Sequence, residues 1–270
     1  MRRVLTALAL IPVVVYVVFW ANFWIFLGVV ATVAFLCYRE YDAIVAHFGF
    51  GAPGRLGYCA GLLLLVAPAV LERVAPSVLP PGRADISLPI VALALLVLTL
   101  AMRGEDLAKS LPRAALLFIG IVYIFGSWRC AIGLHEQNPH WLMYALLLNW
   151  IGDSGAYFVG RKFGRHKLAP RVSPKKSWEG AVASVITSVL IAGAYLVRFV
   201  PGVSVVTAIA LTAIANVAGQ LGDLAESAIK RGAGVKDSGA ILPGHGGFLD
   251  RVDSTLFAMP VIYAYLKLLG

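Results

Sequence analysis

Apolar residues run along this chain in blocks of roughly fifteen to twenty-five, the length a helix needs to cross a bilayer core. Short segments rich in Lys, Arg, Asp, Glu and Gly separate them. Helices are the expected form, because hydrocarbon offers the backbone no hydrogen-bond partners. The blocks lack the period-two alternation of a membrane β-barrel. The pattern predicts an all-α, polytopic membrane protein with about nine spans. They run approximately Val4–Trp20, Ile25–Tyr38, Leu56–Leu71, Ile86–Met102, Ala114–Leu134, Trp141–Gly160, Gly180–Val197, Val203–Ile229 and Ser254–Leu269. The second is short for a span, which leaves a re-entrant segment or a merger with its neighbour open. Met1-Arg2-Arg3 before an apolar run resembles the start of a signal peptide. No small-residue cleavage site follows Trp20, so the first block is read as a retained span.

Composition agrees. Of the 270 residues 60% are hydrophobic and 14% charged, and the mean hydropathy is +0.83. A soluble domain carries about a quarter charged residues. The net charge of +9 would raise the question of nucleic acid in a soluble protein. Its placement gives another answer. With the N-terminus in the cytoplasm, eighteen of the 23 Lys and Arg fall on the cytoplasmic side. Four (Arg73, Arg83, Arg198 and Lys267) fall opposite, and Arg129 lies inside a span. This is the positive-inside bias of a protein in a bacterial-type inner membrane, and no nucleic-acid partner is expected. The three cysteines, Cys37, Cys59 and Cys130, form no metal or redox spacing and read as inert buried thiols.

Two cytoplasmic loops, Arg161–Glu179 and Lys230–Asp253, hold eleven of those eighteen cations and lie on one face, two spans apart. They divide the chain into a scaffold region, 1–135, and a catalytic region, 136–270. Asp223 and Glu226 share a helix face at a spacing of three, as do Asp250 and Asp253. Carboxylates at a membrane helix mouth are costly unless paired or bound to metal. Oxygen ligands beside phosphate suit Mg²⁺. Lys230, Arg231, Lys236 and Arg251 can hold phosphate charge, and Gly244, Gly246 and Gly247 permit a tight turn whose N–H groups face an anion. Together these residues describe metal-assisted phosphoryl or nucleotidyl chemistry. The bland reading stands beside it: basic residues after a span are topology signals, and Asp223 can be a salt-bridge partner of Arg231 or Arg251.

The run Ser227-Ala228-Ile229-Lys230-Arg231, then Lys236-Asp237, then Leu242-Pro243-Gly244-His245-Gly246-Gly247-Phe248-Leu249-Asp250-Arg251-Val252-Asp253 resembles the motif of the phosphatidate cytidylyltransferase (CDP-diacylglycerol synthase) family. Ser173-Pro174-Lys175-Lys176-Ser177-Trp178-Glu179-Gly180 and Asp153-Ser154-Gly155-Ala156-Tyr157 resemble further family elements. The resemblance implies Mg²⁺-dependent transfer of CMP from CTP to phosphatidic acid, giving CDP-diacylglycerol and pyrophosphate, at a site facing the cytoplasm. It implies Asp223 and Asp250 as ligands of one or two metal ions, with Glu226 and Asp253 behind them. Lys230, Arg231 and His245 join the catalytic set. Ser173, Lys175, Lys176, Ser227, Lys236, Gly246, Gly247, Arg251 and Asp153 join the substrate site. A homodimer in contact with membrane lipids is also an expectation by similarity.

Other residues have plainer readings. His245 contacts phosphate or merely fixes its loop. Asp153 belongs to a polar cavity or pairs with a cation such as Arg129. Trp20, Trp24, Trp141 and Trp150 mark interface belts or packing. Glu40, Asp42, Glu105 and Asp106 sit by loops and need no special role. Two other classes fit the pattern: a CTP-dependent kinase of a membrane alcohol, which would release CDP, and a transporter. Polar residues crowding one mouth favour an enzyme.

Overall fold

A computed structural model of the chain describes residues 2–50, 54–77, 93–97, 107–241 and 246–268. Almost all of them are helical. The helices are α1 (Arg2–Phe19), α2 (Phe23–Ala46), α3 (Gly54–Val74), α4, α5 (Pro139–Phe163), α6 (Trp178–Phe199), α7 (Val205–Gly232) and α8 (Leu249–Leu268). α4 runs unbroken through Leu107–Gly120, a π-helical stretch at Ile121–Gly126, and Ser127–Gln137. One antiparallel hairpin, β1 (Lys167–Ala169) and β2 (Ser173–Ser177), joins α5 to α6.

Among the described residues five helices are both long and apolar enough to cross a membrane: α2, α3, α4 from Ala108, α6 and α7. This is an all-α integral membrane architecture. The expected span Ile86–Met102 lies outside the described residues except for 93–97, which are helical. One expectation needs correction. The second block is neither short nor merged with a neighbour, because α2 covers 24 residues and is by itself long and apolar enough to cross. Its apolar run ends near Tyr38, but the helix continues through Arg39, Glu40 and Asp42, whose polarity hid its true length.

Local sequence sets the helix starts. Asn22, Asn138 and Ser204 accept hydrogen bonds from the backbone N–H groups of Ile25, His140 and Thr207 at 3.0, 3.0 and 3.1 Å. Ser177 does the same for Gly180 at 3.2 Å. Each satisfies an otherwise orphaned first-turn donor.

Tertiary bonds sort the helix ends. Val18 main-chain oxygen meets His135 Nε2 at 3.0 Å, and Arg73 pairs with Glu136 at 3.5 Å, so α1, α3 and α4 finish at one end. Arg231 reaches the Val172 carbonyl, and Glu40 reaches Leu249, so α2, α7, the hairpin and the start of α8 meet at the other. This second end, the loop end, carries Arg161, Lys162, Arg165, Lys167, Arg171, Lys175, Lys176, Lys230, Arg231, Lys236 and Arg251.

α5 and α6 pack very closely. Gly152, Ala156 and Gly160 on α5 face Gly180, Ser184 and Ser188 on α6, each set at four-residue spacing. A Cβ built at Gly152 would lie 2.7 Å from Ser184 Oγ and 2.8 Å from Ser188 Oγ. Small residues let membrane helices approach this closely and make dispersion and hydrogen bonds hold them.

Candidate active site

At the loop end α5, the hairpin, α6 and α7 enclose a cavity of about 640 Å³, within the range of small-molecule sites. Asp153 and Arg161 line it from α5, Lys167 from β1, Lys175 and Lys176 from β2, and Gln220 and Asp223 from α7. Gly160, Gly180 and Ala181 give it a wall of small side chains.

Lys176 Nζ and Asp223 Oδ2 lie 2.5 Å apart on the cavity wall, both partly exposed. Asp223 therefore pairs with Lys176 rather than with Arg231 or Arg251. Ser227 Oγ is 3.4 Å from Asp223 Oδ1. Asp153 lines the same cavity. Arg129 is committed elsewhere, 3.8 Å from both Glu72 and Glu136 near the opposite end. Of the two readings of Asp153, the cavity reading holds.

Behind this wall is a second, buried cluster. Lys230 Nζ is 2.7 Å from Glu226 Oε2 and also bonds to Asp250 Oδ1. All three side chains are less than a tenth exposed. Asp250 Oδ2 accepts from the N–H groups of Ser238 (2.9 Å) and Gly247 (3.0 Å). Asp253 Oδ1 accepts from Ser254 N–H at 2.6 Å, in the first turns of α8. Glu226 Oε1 is fully buried, and the Glu226 carboxylate lies against that of Asp253.

Gly246 has φ +80°, a conformation open to glycine, and a Cβ there would lie 2.7 Å from Asp250 Oδ2. The turn does present N–H groups to an anion, as its glycines suggest, and in this structure that anion is the chain's own carboxylate.

The residue that sequence reasoning missed is Glu40. It is 4% exposed. Its carboxylate accepts from Ser238 Oγ (2.9 Å), Phe248 N–H (3.0 Å) and Leu249 N–H (2.8 Å). It caps α8 from a helix some two hundred positions earlier in the chain. Asp42 plays a smaller part, accepting from Gly54 N–H at 3.4 Å. Sequence reasoning also passed over a strip of uncharged polar residues beneath the cavity: Asn149, Ser184, Ser188, Thr212, Asn216 and Gln220. Its signal was available, since Asn216 and Gln220, and Ser184 and Ser188, recur at helical spacing inside apolar runs.

The other expected residues are distributed as follows. Arg231 bonds to the main-chain carbonyls of Val172 (3.4 Å) and Val235 (3.2 Å), tying the hairpin to the loop after α7. Lys236 and Arg251 are exposed and Ser173 is half-buried. His245 and Gly244 lie outside the described residues. Cys37 is buried and Cys130 nearly so, but Cys59 is exposed, on a face of α3 that reads as lipid-facing, which corrects its expected burial. Among the described residues no three His, Cys, Asp or Glu side chains gather as a ready metal cage.

Acid and base thus converge on a polar cavity at the basic end of a helical membrane protein. Over residues 1–269 the chain matches the cytidylyltransferase family, and it belongs to that family. Among its relatives is the phosphatidate cytidylyltransferase of Staphylococcus haemolyticus strain JCSC1435, 40% identical over 157 residues, which is 58% of each chain. That of Staphylococcus aureus strain COL is 37% identical over 175 residues, 64% of this chain and 66% of the relative. That of Haemophilus influenzae is 43% identical over 148 residues, 52% and 51%. The matched stretch thus spans between half and two thirds of these curated relatives.

Proposed function

We propose that the protein transfers CMP from CTP to phosphatidic acid, releasing pyrophosphate and leaving CDP-diacylglycerol in the membrane. The observation that carries this reading is the cavity itself, where Lys175, Lys176 and Arg161 stand beside Asp153 and Asp223 at the end richest in cations. The activity for which the relatives are named supplies the substrate pair.

A phosphatidate oxygen attacks the α-phosphorus of CTP, a new P–O bond forms, and the bond to the pyrophosphate oxygen breaks. The nucleophile is already anionic near neutral pH and needs no strong base, so catalysis rests on positioning and charge neutralisation. Lys175, Lys176, Arg161 and Lys167 suit the triphosphate and the lipid phosphate. A nucleotide cannot cross lipid, so the loop end faces the cytoplasm, and phosphatidate enters sideways from the inner leaflet.

The donor set fits Mg²⁺, which binds through one or two carboxylates plus substrate phosphate oxygens rather than through a complete protein cage. Asp223 offers a partly exposed carboxylate on the cavity wall, and the buried carboxylates of Glu226 and Asp253, set against each other, supply further oxygens behind it. Asp250 serves as a second ligand only by exchanging Lys230 for the ion. Bound there, the ion would neutralise charge building on the reacting phosphates.

A product assay tests the reading. Purified protein in mild detergent receives phosphatidic acid, Mg²⁺ and CTP labelled in its α-phosphate. Label should pass into the lipid phase and fail to do so without Mg²⁺ or with Asp223→Asn. Label recovered in water as CDP would replace this reading with phosphoryl transfer to an alcohol.

A further inference from the structure

Beneath the cavity the polar strip forms a chain of hydrogen bonds whose direction is fixed. Ser188 Oγ donates to the Leu148 carbonyl at 2.8 Å, so it must accept from Asn216 Nδ2, 2.9 Å away. Asn216 Nδ2 also donates to Ser184 Oγ at 3.0 Å. Asn216 therefore turns its oxygen to Gln220, whose Nε2 donates to that oxygen at 2.7 Å and to the Ala181 carbonyl at 3.1 Å. Main-chain carbonyls can only accept, so the two at the ends of this chain settle both amide orientations. Gln220 has spent both amide hydrogens. What remains is Oε1, an acceptor that no donor among the described residues reaches, on a residue that lines the cavity.

The cavity's two depths differ in chemistry. Lys167, Lys175 and Arg161 stand toward the hairpin. Ser184 and Gln220 lie about one helical turn further in than Gly180 and Asp223. With Asp153 they bring acceptors together at the cavity's inner end, one turn beyond the Lys176–Asp223 pair. A phosphate placed there would meet the Asp153 carboxylate, and the nearest cation, Lys176, is already paired with Asp223. An amino group would meet acceptors already held in place.

We infer that this inner end is a nucleobase subsite, in which Gln220 Oε1 accepts from the exocyclic amine of the pyrimidine and selects an amino over a keto group. The inference rests on the nucleotidyl-transfer reading above and deepens it. Of the substrates' uncharged parts, the glycerol esters of phosphatidate can only accept hydrogen bonds, whereas the nucleoside carries an amine that donates. The keto oxygen of uracil would face Gln220 Oε1 acceptor to acceptor. A site built to bond a donor rejects the analogue without it, because its own polar atom is left unpaired.

The test compares CTP, UTP and the triphosphate of the pyrimidinone riboside that lacks the 4-amino group, each in the wild type and in Gln220→Met. In the wild type, kcat/KM for CTP should exceed that for the amine-lacking analogue by about tenfold or more. In Gln220→Met that ratio should fall toward one, through loss of CTP turnover rather than gain for the analogue. A wild type that turns over CTP and the analogue equally overturns the inference, whether or not the variant folds. A Gln220→Met protein that keeps the full ratio overturns it too, and assigns discrimination to Asp153. A wild type inactive with CTP on phosphatidate overturns the proposed function instead.

Discussion

Glu40 shows how much one side chain can hold. Removing its carboxylate strands two buried backbone N–H groups and a hydroxyl, at about 1–3 kcal/mol for each group left unsatisfied. Glu40→Ala should lower the melting temperature in detergent and expose the segment between Lys236 and Leu249 to limited proteolysis. An unchanged cleavage pattern would show that the cap is dispensable. Lys230 and Lys176 separate in the same way. Lys230 sits buried between two carboxylates, and its loss leaves uncompensated charge, so Lys230→Met should cost about 3–5 kcal/mol of stability. The Lys176–Asp223 pair is partly exposed, and such pairs contribute about 0–1 kcal/mol. Asp223→Asn should therefore leave the denaturation midpoint nearly unchanged while removing cytidylyl transfer. Equal destabilisation of the two variants would contradict this division. The carboxylates themselves were legible in the sequence, from their spacing and their cost in a membrane. Their partners were not, because nothing local tells Glu40 that Phe248 and Leu249 will need acceptors.

At the scale of elements the α5–α6 seam governs the cavity, since both helices supply its walls. A side chain at Gly155 would begin 2.2 Å from Thr187 Oγ1 and must part the helices. Gly155→Val should destabilise the protein by about 1–3 kcal/mol and raise the KM for nucleotide as the walls shift. Gly28, in α2, has open space where a Cβ would go. Gly28→Ala should be neutral or stabilising by up to about 1 kcal/mol from helix propensity. Chemical denaturation of both variants checks the pair. The apolar blocks revealed the helices because burial in lipid demands length and hydropathy. They misjudged α2 because its last two turns gain their burial from protein, and a hydropathy pattern cannot distinguish that from exposure.

At the scale of the molecule, polar chemistry among the described residues is concentrated at the loop end, and the opposite end carries the ion pairs of Arg73, Arg129, Glu72 and Glu136. The proposed orientation makes an accessible prediction. In a Cys59→Ser background, a cysteine placed at Lys175 should react with a membrane-impermeant maleimide only after the cytoplasmic side is opened. One placed at Gly202, in the turn before α7, should react from outside in intact cells. Reversed labelling would place the cavity on the side without nucleotide. The cation bias predicts this polarity directly, because it is a sum over loops and tolerates errors at any single helix end.

The bond between Glu40 and Leu249 joins positions 209 residues apart. Glu40 is made with α2, whereas its hydrogen-bond donors on α8 are synthesised some two hundred residues later. During translation that carboxylate must stay hydrated or borrow another partner until α8 arrives. Assembly of the turn around Asp250 thus waits for α8, and a ribosome halted before that helix leaves a chain whose earlier helices are made but whose candidate site is unfinished.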